Sequence, residues 1–354
     1  MKSTFRNIIK KIIINSDIAS SPRGAIIEIT TRCNLNCRMC PRTLLPGIKD
    51  EEMSYDNFKK ICEKLPNLKS VALLGRGEAL LHHEIDQILA YLNHRRCAIE
   101  VTTNGTLLNQ QYIHSKKLAT ITQLNISLDS TDPDIFFNIR GIPLEKITNS
   151  FDSLRSLFPK TWIRLQSLIF PETISQLGTF IKYAIENRFN EVNFLLPIQF
   201  NAEEHTMTIF ENKSIISEIH QLKRYALNNG VIIRATIAEN HPRMCFSPWN
   251  TLRVALNGDI YPCCYIYNSP GSYWSEHYAG EEVVVDQNKY KMGNLLSQDL
   301  SDFWNEKPYR SLRKVVRSTA TNKILSEEEL QSVRVSGRSC GRFGYCKGCL
   351  FRNN

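Results

Sequence analysis

Three cysteines on one short loop, Cys33, Cys37 and Cys40, are the side chains of this sequence best suited to chemistry. They lie in the segment Thr31-Arg-Cys-Asn-Leu-Asn-Cys-Arg-Met-Cys-Pro41, directly after a β-rich run. Three thiolates are the informative number. A cubane iron–sulfur cluster takes four ligands, so three leave one iron open to bind a further molecule. A closed structural zinc site wants a fourth Cys or His nearby, and none follows before Cys62. Cys62 itself falls on the apolar face of a predicted helix with Phe58, Ile61 and Leu65, where a thiol behaves as a small core residue.

A second cysteine group closes the chain. Cys245-Phe-Ser-Pro-Trp-Asn leads on to Asn257-Gly-Asp-Ile-Tyr-Pro-Cys263-Cys264, and then come Cys340, Cys346 and Cys349. Gly258 is placed for a hairpin turn that brings Cys245 and Cys263 together. A four-cysteine zinc site and an iron–sulfur site both fit such a set. Cys97, at the start of a predicted strand, reads as core. Trp249 and Trp304 read as packing residues, and His82 and His83 as helix-start or surface residues.

The composition bounds what these cysteines do. Eleven cysteines, an odd number, in a chain without a secretion signal point to metal or redox use rather than a disulfide framework. A reducing compartment, the cytoplasm, is the expected location. The N-terminus MKSTFRNIIKKIIINSDIAS breaks its isoleucines with lysines and has no continuous apolar core. It reads as an amphipathic segment over residues 1–24, not a signal peptide. No apolar run is long enough to span a bilayer. The net charge of +9 suits an acidic partner, but no nucleic-acid-binding motif accompanies it, and none is expected to bind.

These loops need a scaffold. From residue 25 to about 237, short β-rich runs alternate with helical patterns. Strands are predicted over 25–30, 70–74, 98–103, 123–128, 162–169, 191–198 and 231–237. Ser54 reads as a helix N-cap, Ile85, Ile88, Leu89 and Leu92 as one apolar stripe, and Gly230 as a helix stop. Repeated βα units predict an α/β fold with a parallel sheet covered by helices, curled into a partial (β/α)6 TIM-like barrel over residues 25–240. Its chemistry would then sit at the C-terminal ends of the strands. Beyond residue 240 the composition turns to Pro, Gly, Cys and aromatic residues, which predicts a small cysteine-rich domain over 241–354.

Further short motifs follow in order. Leu74-Gly-Arg-Gly-Glu-Ala-Leu-Leu-His82 ends the second strand, Thr102-Thr-Asn-Gly-Thr-Leu-Leu108 the third, and Asn125-Ile-Ser-Leu-Asp-Ser130 the fourth; Phe137-Asn-Ile-Arg-Gly141 comes next. Together with the cysteine loop, this series resembles the radical S-adenosylmethionine (SAM) superfamily. The second motif is similar to that family's Gly-Gly-Glu-Pro segment, with Arg76 before Gly77 and Ala79 in place of proline. The cysteine-rich end resembles the SPASM/twitch domains appended to such enzymes.

The resemblance implies roles. Cys33, Cys37 and Cys40 would hold a [4Fe–4S] cluster whose open iron chelates the amino and carboxylate groups of SAM. Glu78, beside Gly77, would accept from the SAM ammonium, and Arg140 would pair with its carboxylate. Ser127 and Asn104 would hold the ribose region. Asp129 would contact SAM or substrate, or cap a helix. Cys245, Cys263, Cys346 and Cys349 would hold a second, auxiliary [4Fe–4S] cluster. Cys264 and Cys340 remain as ligand substitutes, buried thiols or hydrogen-atom donors to a substrate radical, with Cys264 the candidate catalytic donor.

Three functions are compatible with this reading. The first is modification of a peptide by epimerisation or cross-linking. The second is oxidation or rearrangement of a small molecule such as a sugar or aminocyclitol, with the auxiliary cluster as electron acceptor. The third is a non-catalytic iron–sulfur protein, against which the motif series argues. The two enzymatic readings need a reducing electron donor such as a flavodoxin or ferredoxin. Only about two dozen residues precede the first strand, too few for the leader-peptide-binding module of many peptide-modifying relatives, which weighs against the first reading.

Overall fold

Period-two sequence builds a parallel sheet in this protein. The structure is a computed structural model, and it describes residues 16–44, 47–195, 213–235, 246–262, 271–274, 282–285 and 291–320. Strands β1 (Gly24–Ile27), β2 (Ser70–Leu73), β3 (Ala98–Thr103), β4 (Gln123–Ser127), β5 (Trp162–Leu168), β6 (Glu191–Leu195) and β7 (Ile232–Ala235) lie side by side in chain order. All six pairings are parallel. Sequential order means that every helical crossover returns on the same face. A right-handed series of this kind curls towards a barrel instead of winding both ways.

The alternation along each strand sorts two faces. Ile99, Val101 and Thr103 of β3, Leu124 and Ile126 of β4, and Ile163 and Leu165 of β5 are buried in the main core. The helix Tyr55–Glu63 contributes Phe58, Ile61 and Cys62, and the helix Ile85–His94 contributes Ile85, Ile88, Leu89 and Leu92. Burying each such aliphatic side chain is worth roughly 1.5–3 kcal/mol. Ser54 caps the first of these helices by accepting from the Asn57 N–H at 3.3 Å. Gly230, at φ +82°, follows the helix Lys213–Asn228 in a conformation that side chains resist.

The opposite face is polar, and its lower part is bonded to itself. Glu191, 1% exposed, takes the Arg164 Nε at 2.8 Å, the Arg234 Nε at 2.7 Å and the Trp162 indole N–H at 3.1 Å. Asn125 donates to Glu100 at 2.7 Å and accepts from Gln123 at 3.0 Å. One pleat nearer the C-terminal ends, Ser127, Gln166 and Asn193 stand in register. These three half-buried side chains make no hydrogen bond among the described residues.

The sheet does not stop where the composition changes near residue 240. Strand β8 (Thr251–Val254) pairs in parallel with β1 on its free edge, and β9 (Asp259–Tyr261) turns back on β8 through Gly258 at φ +81°. Strands β10 (Gly271–Trp274) and β11 (Glu282–Val285) form a separate hairpin, and β12 (Gly293–Asn294) pairs with β9. A boundary drawn at 240/241 marks a shift in composition, while backbone pairing carries the barrel sheet across it.

A buried clasp ties the two ends of the chain together. Arg313, on the helix Lys307–Ala320, is fully buried and donates to the carbonyls of Asp17, Pro248 and Trp304 at 2.8–2.9 Å, stacking its guanidinium on the Trp304 ring at 4.6 Å. Asn305 pairs with both the N–H and the C=O of Ala19, at 2.9 and 3.0 Å. Trp249 and Trp304 direct their indole N–H groups to the carbonyls of Ser16 and Ser20, both at 2.9 Å. Both tryptophans are buried packing residues, as their sequence setting suggested. Arg313→Met strands three buried carbonyls, so unfolding in urea should show a loss of about 3 kcal/mol or more. A lysine there should recover only part, because one ammonium cannot span three acceptors.

Candidate functional site

The cysteine loop leaves β1 at the C-terminal edge of the sheet and is strapped down at once. Thr31 donates its N–H to the Glu51 carbonyl at 3.0 Å, and its hydroxyl accepts from the Glu51 N–H at 2.9 Å. Arg42 returns its Nε to the Thr31 carbonyl at 2.8 Å. Glu52 then bridges Arg32, at 2.9 Å, and His83. Beneath it, the fully buried His82 donates Nε2–H to the Met53 carbonyl at 2.7 Å while Nδ1 accepts from the Glu84 N–H at 3.1 Å. Burial lowers its pKa and keeps it neutral. His82 is thus a brace between the strap at residues 49–53 and the loop after β2, a role that a lone histidine in a sequence does not advertise.

Among the described residues, Glu52, His82 and His83 form a trio of metal-type ligand atoms lying within 4.8 Å of one another. It is not a metal site, since both ring nitrogens of His82 are already engaged in hydrogen bonds. The cysteines behave differently. Cys33, Cys37 and Cys40 are free thiols, yet their sulfurs do not all fall within that 4.8 Å limit. Burial raises all three thiol pKa values. Leu35, Met39, Ile139 and Phe170 shield the loop as an apolar patch separate from the main core. By contrast, Cys62 is wholly buried with its pKa pushed up to about 12, and Cys97 donates to the Leu68 carbonyl; both are core thiols.

The Glu78 loop lies directly against this backbone. A Cβ on Gly77 would sit 2.5 Å from the Thr30 carbonyl oxygen and 2.6 Å from that of Arg32, so only glycine permits the approach. Glu78 uses it, donating its N–H to the Arg32 carbonyl at 2.8 Å. Its carboxylate, 3% exposed, accepts from the Leu80 N–H at 3.1 Å and the Asn104 N–H at 2.6 Å. Burial raises the Glu78 pKa, opposed by these donors. Asn104 extends the link, donating Nδ2 to Asn34 at 2.8 Å and to the Cys33 sulfur at 3.9 Å.

Two sequence expectations need redrawing. Arg140 directs its Nε to Asp129 at 2.5 Å and its Nη1 towards the Cys37 sulfur at 3.8 Å, so its guanidinium faces a cysteine as well as any carboxylate. Asp129 is no helix cap: Asp132 caps the helix Pro133–Arg140, accepting from the Asp134 and Ile135 N–H groups at 3.0 Å. The Asp129 carboxylate is enclosed by Arg140 and the Leu168 N–H, at 2.8 Å, and reaches a ligand only through Arg140. Ser127 is half-buried on the polar face at the end of β4. Arg76, missing from the resembled segment, pairs bidentately with the fully buried Glu28 at 2.9 and 3.2 Å. Cys245, Cys263, Cys264, Cys340, Cys346 and Cys349 lie outside the described residues.

With this geometry established, comparison with known proteins decides the family. Residues 27–184 match the Radical SAM superfamily, and residues 245–350 match SPASM, an iron-sulfur cluster-binding domain. This chain belongs to the radical SAM superfamily. A [4Fe–4S] cluster and SAM are the cofactors of its radical SAM domain, and auxiliary iron–sulfur binding belongs to the SPASM domain.

The chain is 26% identical over 316 residues to the tungsten-containing aldehyde ferredoxin oxidoreductase cofactor-modifying protein of Pyrococcus furiosus, covering 82% of this chain and 83% of that one. It is 25% identical over 309 residues to the GTP 3',8-cyclase of Helicobacter pylori, covering 79% and 91% respectively. Its fold is similar to that of Streptococcus suis SuiB bound to S-adenosylmethionine, at a TM-score of 0.63 and 18% identity over 89% of this chain and 73% of that one. No helix among the described residues is long and apolar enough to cross a membrane.

The glycine contact gives a direct test. Gly77→Ala should cost most of the iron bound after anaerobic reconstitution, because the clash is with backbone that cannot rotate away. Gly178→Ala, where no atom lies within 4 Å of the added carbon, should load iron like the parent. Iron and acid-labile sulfide per chain, measured side by side, decide it.

Proposed function

We propose that this radical SAM enzyme holds its SAM-binding cluster on Cys33, Cys37 and Cys40 and its auxiliary cluster on Cys245, Cys263, Cys346 and Cys349. The observation that carries the reading is three free, shielded thiols on one loop beside a buried glutamate at the C-terminal edge of a parallel sheet. A cluster held by Cys33, Cys37 and Cys40 would supply the one electron that cleaves the sulfonium C–S bond of SAM, with methionine as leaving group, for hydrogen abstraction from substrate.

The protein's own part is to hold and orient. The Glu78 carboxylate accepts the Leu80 and Asn104 N–H groups and the Thr103 side chain, which leaves one of its four lone-pair sites for the SAM ammonium. Those backbone bonds keep the carboxylate from turning away. Asn104, bonded to Glu78 through its N–H, and Ser127, at the end of β4, would serve the ribose, and Arg140 the carboxylate end. The apolar patch of Leu35, Met39, Ile139 and Phe170 keeps water from the reacting centre.

For the substrate, the reading favoured here is a small polar molecule. Next in register to Ser127, Gln166 and Asn193 offer a row of neutral donors and acceptors above a floor already satisfied by its own ion pairs. Sites built from such groups reject partners that leave them unpaired. The names of the relatives at 25–26% identity, a cofactor-modifying protein and a GTP cyclase, agree with this. Peptide modification is the second reading, since a peptide backbone can also fill that row. In either case a low-potential donor such as a flavodoxin or ferredoxin completes the cycle.

The test is 5′-deoxyadenosine release from SAM with dithionite, beside iron content. The parent should hold about eight irons and release the nucleoside, and the Cys33→Ala/Cys37→Ala/Cys40→Ala chain about four irons and none of it. Glu78→Gln should bind SAM about tenfold to a hundredfold more weakly, having lost a charge-assisted acceptor. A fully loaded parent that releases no nucleoside would overturn the enzymatic reading. Transfer of deuterium from a labelled candidate into the nucleoside then separates small molecules from peptides.

A further inference from the structure

The donors around the three cysteine sulfurs differ in kind. The Cys33 sulfur faces the backbone N–H of Leu35 and the uncharged Asn104 Nδ2 at 3.9 Å, and the Cys40 sulfur faces the N–H groups of Arg42 and Thr43, so no cation donates to either. At Cys37 the donor is a side chain, Arg140, whose Nη1 lies 3.8 Å from the sulfur. This guanidinium has little freedom. It is 9% exposed, its Nε is bound to Asp129 at 2.5 Å, and the other Asp129 oxygen is anchored on the Leu168 N–H at 2.8 Å. The ion pair therefore aims a fixed cation at one cysteine of the loop. That aim needs no bound SAM.

We propose that Arg140, oriented by Asp129, sets the reduction potential of the cluster on Cys33, Cys37 and Cys40. This rests on those cysteines being the cluster ligands. Reduction adds one electron to the cluster and its thiolates, so a cation and N–H donor at a ligand sulfur stabilises the reduced form more than the oxidised one. Asp129 opposes this, but it meets Arg140 on the Nε side, while Nη1 is the atom directed at the Cys37 sulfur. Arg140 thus eases delivery of an electron from a low-potential donor, and it acts through Cys37 whether or not it also meets the SAM carboxylate.

The experiment is a redox titration of the reconstituted full chain without SAM. It follows the electron-spin-resonance signal of the reduced cluster that the Cys33→Ala/Cys37→Ala/Cys40→Ala chain lacks. Arg140→Met should lower the equilibrium constant for reduction about tenfold, which is 59 mV for a one-electron couple. Arg140→Lys, which keeps the charge but not the fork, should lower it by less. Because Arg140→Met leaves a buried carboxylate unpaired, Arg140→Met/Asp129→Leu is titrated beside it and should move in the same direction. A potential unchanged in these variants, with SAM affinity lost instead, would make Arg140 a SAM contact and overturn the proposal alone. A parent without any such signal would overturn the ligand assignment, and the proposal with it.

Discussion

The contact between the backbone at residues 30–32 and the loop at residues 75–78 is the constraint on which the site depends. Glu78 donates its N–H to the Arg32 carbonyl, and the Gly77 Cα lies where any side chain would meet two carbonyl oxygens. Through it the acid proposed to meet SAM is fixed to the backbone carrying Cys33. Without it, only side-chain braces would set the separation of the two loops.

Around that contact the structure adds braces whose strength comes from burial. His82 joins the loop after β2 to Met53, Thr31 binds Glu51, and Asn104 connects Glu78 to Asn34 and Cys33. Each is a hydrogen bond worth roughly 1 kcal/mol net, but each also satisfies a group that would be costly to leave unpaired away from water. Catalysis that depends on placing a reactive species near one hydrogen needs such rigidity, and side chains held by their own hydrogen bonds supply it.

The polar face of the sheet is arranged in two levels. Its lower level closes on itself around Glu191 and Asn125, so the sheet is filled by its own charges there. Its upper level offers groups without partners of their own among the described residues. Apolar residues on the other face hold the helices, and the period of two lets one strand serve both purposes.

The sequence alone determined the architecture and the cysteine loop, because both depend on local pattern. Alternation in β3 and β5, the apolar stripe Ile85–Ile88–Leu89–Leu92 and the cap at Ser54 are read within a few residues, and three cysteines on one loop cannot be far apart. The core placement of Cys62 and Cys97 was legible for the same reason. What the tertiary structure decided are contacts between residues distant in sequence. The pairing of β8 with β1 across the compositional boundary, the brace at His82 and the ion pair of Glu28 with Arg76 are of this kind. So is the turn of Arg140 towards Cys37, 103 positions away. Composition and periodicity are blind to such pairs, because burial and charge compensation are settled only when the strands are laid side by side and each enclosed polar atom must find a partner.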